Sequence, residues 1–431
     1  MSREKLESRF WYEPNVLFNP WRRSFDRIRS VFSVPPFGIF FAKVNHFGKF
    51  DDYVDVNKFL DWNTKRAALD ASPFVVALTS HIGSQRLFIC SGTIVNSYGA
   101  NGEFFGTILT SATLLRCPTT EDSVADDIKV DVYLFDRSVC EGEILGYDFH
   151  HNVAAIRIKS AVQLQTAVIR NLDDCMECHA RFDDTSFHLA RHRETPTSQG
   201  LIKLCPGMAV IALGRYYDDR YHIMAAPGKL IMEDSGLDCR ELGMVSSEIT
   251  KRDKNTLLHS NGIGGPLINY SGCVIGLNFY SLGRTPFLPI NIALKCLEHL
   301  LKYREVPRPW LGLELSDLDT LDLGESEKII NISPATLSGV LVRKVELSSP
   351  ASDAGICTDD IIVQIDGKHV GSSSEFTSVL LNKAKEPTEV IVKRSGSIAP
   401  LTLTVLPQST KKLNRWPLPE ECSVDLPCHE A

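Results

Sequence analysis

At 431 residues the chain is too long for one hydrophobic core, because single domains usually run about 100 to 200 residues. Its 43% hydrophobic and 23% charged residues match an ordinary folded protein. A net charge of -7 and a pI near 6.0 exclude a general polyanion binder, which needs clustered lysine and arginine.

Taken in chain order, residues 1–70 are rich in aromatics and prolines (Phe10, Trp11, Pro14, Pro20, Trp21, Pro35, Pro36) and predict an irregular extension with a short helix near 22–31. The apolar stretch 34–44 is broken by Pro35, Pro36 and Lys43, so it is too short to span a bilayer. Acidic residues among the first arginines and the lack of a small-residue cleavage site argue against a secretory signal. A soluble intracellular protein is expected, with organelle import left open. Twelve scattered cysteines without framework spacing predict free thiols.

From residue 72 short β-branched runs follow at 74–78, 87–95, 106–109, 130–135, 154–158, 209–213 and 274–278, separated by Gly, Asn and Asp. Such runs predict antiparallel strands closing into barrels or a sandwich. The linker Tyr303-Arg-Glu-Val-Pro-Arg-Pro-Trp310, with two prolines, marks a boundary near 301–303. A smaller unit of strands and helices runs to about 407, and residues 408–431, with Pro417, Pro419 and Pro427, predict a disordered tail.

Three segments carry a family signature. The first is Cys90-Ser-Gly-Thr-Ile-Val95 with Gly106-Thr-Ile-Leu-Thr-Ser-Ala-Thr-Leu-Leu115. The second is Gly146-Tyr-Asp-Phe-His-His-Asn-Val-Ala-Ala-Ile156, and the third is Asn261-Gly-Ile-Gly-Gly-Pro-Leu-Ile-Asn269 with Gly272-Cys-Val-Ile-Gly-Leu-Asn278. Together they resemble the catalytic blocks of the HtrA (Do-like) serine proteases. The resemblance covers about 72–301 and implies a mainly β fold, a chymotrypsin-like double β-barrel, with an insertion at about 171–200.

Carried over position by position, the resemblance puts Thr113 where the family has its histidine, Asn152 where it has its aspartate and Ile263 where it has its serine. Acyl transfer needs an attacking oxygen or sulfur, an imidazole that takes and returns its proton, and a carboxylate that orients the ring. Ile263 has no lone pair, and a threonine hydroxyl is no base near neutral pH. Asn261 and Gly262 fall in the oxyanion loop, where asparagine replaces the family's glycine. His150, His151, His259, Ser111 and Ser260 lie near these positions, but the reading preferred for the two adjacent histidines is a solvated loop rather than a rebuilt triad. In the insertion Cys175, Cys178, His188 and His192 brush against a zinc spacing, and Cys178-His179 against a haem-attachment string; a surface loop with free thiols is preferred, and no cofactor is expected.

The second unit opens on Pro309-Trp-Leu-Gly-Leu-Glu-Leu315 and continues through Ser349-Pro-Ala-Ser-Asp-Ala-Gly-Ile356 and Asp359-Asp-Ile-Ile-Val-Gln-Ile-Asp-Gly367. It resembles the PDZ module of the same family over 303–407. That implies β-augmentation, in which an extended peptide adds to a strand edge. Trp310, Leu311, Gly312 and Leu313 are the expected carboxylate loop and strand, and Phe376, Val379 and Leu380 the apolar face of a helix over 374–383. For each of these apolar residues a core position is the safer reading.

The resulting expectation is a pseudoprotease that binds polypeptide or protein C-termini. The alternatives are a serine endopeptidase using unfamiliar residues and a structural subunit of a mixed HtrA-type oligomer, trimeric by family resemblance. No nucleic acid and no membrane span are expected.

Overall fold

The computed structural model describes residues 60–419 apart from 119, 121, 171, 174–201, 217–221, 232, 250–261, 282, 319–320, 333–338, 384–385 and 398. Helix α1 (Trp62–Ala71) opens it, contrary to the irregular extension expected up to residue 70. Asp61 starts the helix by accepting the Asn63 and Thr64 amides at 2.9 and 3.1 Å, which satisfies two otherwise orphaned donors. Thr64, Ala67, Ala68 and Ala71 form one buried stripe of small side chains, and Thr64 Oγ1 meets the Tyr270 hydroxyl at 3.0 Å. The signal was weak because the stripe is short and alanine-based.

Six strands, β1 (Val75–Ile82), β2 (Gln85–Ala100), β3 (Glu103–Ser111), β4 (Lys129–Tyr133), β5 (Val139–Asp148) and β6 (Val153–Ser160), close into a barrel in the order β1-β2-β3-β6-β5-β4. Residues 87–94 of β2 are buried without alternation. One face fills the barrel and the other is covered by neighbouring structure, so the period-two pattern disappears. The short strands β7 (Val168–Ile169), β8 (Leu172–Asp173) and β9 (Ile202–Lys203) lead to the second barrel.

That barrel uses β10 (Ala209–Arg215), β11 (Ile223–Ile231), β12 (Gly243–Val245), β13 (Pro266–Asn269), β14 (Cys273–Asn278) and β15 (Thr285–Pro289). Their order is β13-β10-β11-β12-β15-β14, and the pairing of β13 with β14 closes the ring. Arg215 sits buried between the barrels, donating to the carbonyls of Val75 and Ser72 at 2.6 Å each. Helix α2 (Ile290–Tyr303) then packs Ile290, Ala293, Cys296, Leu297 and Leu300 inward, and Arg304 ends it in the left-handed region at φ 61°.

The third unit contains β16 (Pro309–Trp310), β17 (Leu313–Asp317), helix α3 (Leu323–Ile332), β18 (Val340–Val345), the short helix α4 (Pro350–Asp353), β19 (Ile361–Ile365), β20 (Lys368–His369), helix α5 (Ser373–Leu381), β21 (Thr388–Lys393) and β22 (Leu401–Val405). The sheet order β17-β18-β19-β21-β22 leaves β17 at an edge. A separate core of Leu311, Val340, Val342, Ile362, Phe376, Leu380 and Val390 holds it.

Residues 408–419 do not form the loose tail expected from their prolines. Strand β23 (Gln408–Ser409) pairs with β16, and the chain continues back over the barrels. Trp416 is buried against Phe279, its indole N–H donates to the His150 carbonyl at 3.1 Å, and Arg415 grips Asp238 at 2.8 Å. One indole buries enough apolar area to order a short strap that carries no periodic signal. Residues 420–431, and the helix expected near 22–31, lie outside the described residues. Among the described residues no helix is long and apolar enough to cross a membrane.

Candidate functional site

The three positions singled out by the family resemblance all fall at the junction of the barrels. Strand β3 ends at Ser111 and turns through residues 112–115, with the Ser111 side chain capping the turn by accepting the Thr113 amide. Across from it the Ala112 amide bonds the Asn152 carbonyl at 2.9 Å, and Asn152 takes a left-handed backbone (φ 56°) before β6 begins. These bonds bring Thr113 and Asn152 together. Asn152 Nδ2 donates to Thr113 Oγ1 at 3.0 Å, and Ser111 Oγ donates to the same oxygen at 3.0 Å. All three side chains are buried.

Ile263 belongs to the tight loop that enters β13, and it too is fully buried. The Ser91 amide donates to its carbonyl at 2.7 Å, holding the loop against the first barrel. Gly264, at φ 75°, permits this approach: a Cβ there would stand 2.5 Å from Thr110 Oγ1 and 2.6 Å from the Ser91 carbonyl. The junction therefore holds a buried neutral hydroxyl–amide pair, and in the loop bonded to Ser91 an aliphatic side chain takes the place of any nucleophile. Gly262 is buried in the same loop, while Asn261, His259 and Ser260 lie outside the described residues, as do Cys175, Cys178, His188 and His192.

The neighbouring histidines depart from the solvated-loop reading. His151 is 2% exposed, and its Nδ1 lies 2.8 Å from Asp148 Oδ2 in the β5–β6 turn. The turn folds back through the His150 and His151 amides, which donate to the same carboxylate at 3.3 and 3.0 Å. Arg308, from the linker before β16, reaches Asp148 Oδ1 at 3.2 Å. Cys296 of α2 completes a buried trio, with one donor atom from each of Asp148, His151 and Cys296 lying within 4.8 Å of the others. Beside it Cys239 Sγ donates to Glu241 Oε2 at 3.1 Å.

Burial opposes the charge on Asp148, yet the His151 ring and Arg308 hold its carboxyl well below the usual range. Burial likewise opposes a charged His151, but Cys296 and Asp148 push its pKa well above the ordinary value. Burial and the neighbouring His151 pull His150 down to about 4. Burial raises the Cys296 thiol, although His151 opposes this. The sulfur has no exposed surface, so this Asp–His–Cys trio lacks the access and the thiolate that a nucleophile requires. A turn with three polar residues in four was the one legible hint of the cluster; Cys296, more than a hundred residues away, gave none.

In the third unit Leu311, Phe376 and Leu380 join the core, whereas Trp310, Leu313 and Val379 are half-buried. Helix α5 spans Ser373–Leu381, close to the expected 374–383, and Leu381 packs into the barrel-side core instead. Gly312 has φ 74°, and a side chain there would collide with Ser349. The segment 239–241 touches both flanks of the β17–α5 face, through Arg240 with Glu314 at 3.7 Å and Glu241 with the Thr377 hydroxyl at 3.3 Å.

A sequence profile described as PDZ domain matches residues 309–405. The Arabidopsis thaliana protein Do-like 14 is 28% identical over 352 residues, covering 79% of this chain and 70% of its own length. The Bacillus subtilis serine protease Do-like HtrB is 29% identical over 217 residues, 48% of this chain and 47% of that protein. The chain is similar to the HtrA (Do-like) proteases across its barrels and its PDZ domain. It spans 70% of the plant relative's length and less than half of HtrB and of Xenopus laevis HTRA1, the latter 24% identical over 209 residues, 47% of this chain and 44% of that protein. The solved HtrA-type protease AlgW with tripeptide covers 81% of this chain and 98% of its own at 17% identity, with a TM-score of 0.49. This HtrA-type chain is a trypsin-like double barrel followed by a PDZ domain.

Proposed function

We propose that this HtrA-type chain binds extended polypeptide without hydrolysing it. The observation that supports the reading is the junction itself: Thr113, Asn152 and Ile263, which the resemblance aligns with the family's histidine, aspartate and serine, are all buried. A hydroxyl that accepts from an amide and a second hydroxyl is neither base nor nucleophile, and isoleucine offers nothing to attack a carbonyl. In the serine protease subtilisin, loss of the nucleophile or base alone costs on the order of a million-fold, leaving binding and oxyanion stabilisation.

The edge strand β17, the loop at Gly312 and the half-buried Leu313 and Val379 support a PDZ groove for a peptide C-terminus. Two measurements on the full chain test the proposal. A fluorophosphonate probe is expected to leave the protein unlabelled and casein uncut, and stoichiometric labelling would overturn the non-catalytic reading. A C-terminal peptide array is expected to show a side-chain preference that is lost in Gly312→Val; equal binding by that variant would remove the groove.

A further inference from the structure

We propose that Asp148, His151 and Cys296 form a structural zinc site. Imidazole nitrogen, thiolate sulfur and carboxylate oxygen are the donors zinc takes, at about 2.0–2.3 Å. Around a tetrahedral ion such donors stand roughly 3.3–3.8 Å apart. Donor atoms gathered within 4.8 Å close on the ion by small side-chain movements. The candidates for a fourth donor are Cys239 and Glu241, which interact electrostatically with Cys296 and His151 although they fall outside the trio's 4.8 Å grouping.

Zinc takes a neutral imidazole, a carboxylate and a thiolate, so on binding the thiol proton and any proton on the ligating imidazole nitrogen leave to solvent, and metal–ligand bonds replace hydrogen bonds. Arg308 on the other Asp148 oxygen then supports the site from outside. Buried Nδ1 of His150, in a ring 4.8 Å centroid to centroid from His151, makes no hydrogen bond among the described residues, marking further unused donor capacity at the same place.

The location gives the metal a structural role. Its ligands come from the β5–β6 turn and α2, while the adjoining 239–241 segment contacts the PDZ domain through Thr377 and Glu314. Zinc would tie the barrels to the base of the PDZ domain.

The full chain, purified without chelator and supplied with zinc, is expected to retain about one metal ion per molecule by elemental analysis. Replacement by cobalt is expected to give a thiolate-to-cobalt charge-transfer band, and chelation to lower the melting temperature. Cys296→Ser and His151→Gln are expected to lose the metal, with folding monitored by circular dichroism. The cobalt spectrum of the unmodified chain reads thiolate ligation even where a variant misfolds. Absence of that band, or undiminished zinc in folded Cys296→Ser, would overturn the proposal. So would loss of the metal in a Cys175→Ser/Cys178→Ser variant with retention in Cys296→Ser.

Discussion

Asn152 and His151 are adjacent in the chain, yet they serve opposite kinds of polar cluster. Asn152 faces a threonine and a serine in a neutral hydrogen-bonded knot, whereas His151 sits against a carboxylate, a thiol and, through Asp148, an arginine. Neutral groups can be buried when their hydrogen bonds are satisfied, and losing one partner costs a modest amount. Buried charges exact a larger penalty when a partner is removed. The turn from β5 into β6 thus separates a quiet, uncharged junction between the barrels from a charged cluster under helix α2, within a single peptide bond.

The largest expected effect is on the charged side. Asp148→Ala would strand the His151 ring and Arg308 in the interior and is expected to cost about 3–5 kcal/mol in urea or thermal unfolding. A loss below about 1 kcal/mol would mean that the cluster is water-filled rather than buried, and the comparison would collapse. Trp416→Ala is expected to cost about 3 kcal/mol, toward the low end for a buried tryptophan because it lies in a terminal strap. Protease cleavage between Gln408 and Trp416 should then appear at concentrations that spare the unmodified chain.

On the neutral side, Thr113→Val removes one hydroxyl and leaves Asn152 and Ser111 short of a partner, for an expected loss of about 1–3 kcal/mol. Probe labelling should remain absent in both forms. Measurable hydrolysis in the unmodified protein that vanished in this variant would make Thr113 catalytic and break the reading. The smallest effect is expected for Arg240→Ala, which removes an exposed bridge to Glu314 and should change stability by about 0–1 kcal/mol. A marked gain in peptide binding would show that this contact holds the β17–α5 face shut.

Much of the fold was legible in the residue pattern. The strands expected at 87–95, 106–109, 154–158, 209–213 and 274–278 fall in barrel strands, because short β-branched runs between turn residues gain burial as sheet. The run 130–135 outruns β4 by two residues, and 74–78 begins one residue before β1. The PDZ helix was legible to within two residues at each end. Two segments were not. Helix α1 has a narrow alanine stripe of low hydrophobicity, and the strap at 408–416 is ordered by long-range contacts rather than by local preference.

What the sequence determined by itself was the set of side chains available at Thr113, Asn152 and Ile263, since the presence or absence of an imidazole or a nucleophile is a property of residue type. It also determined where much of the sheet would form, because short β-branched runs and turn chemistry are local. Only the tertiary structure decided that His151 points its chemistry into the interior beside Cys296, and that Arg308 and the C-terminal strap close over the same turn. Those partners lie between 145 and 266 residues from the turn, and contact between such distant segments is fixed by how barrels, helix and strap pack, which no local pattern encodes.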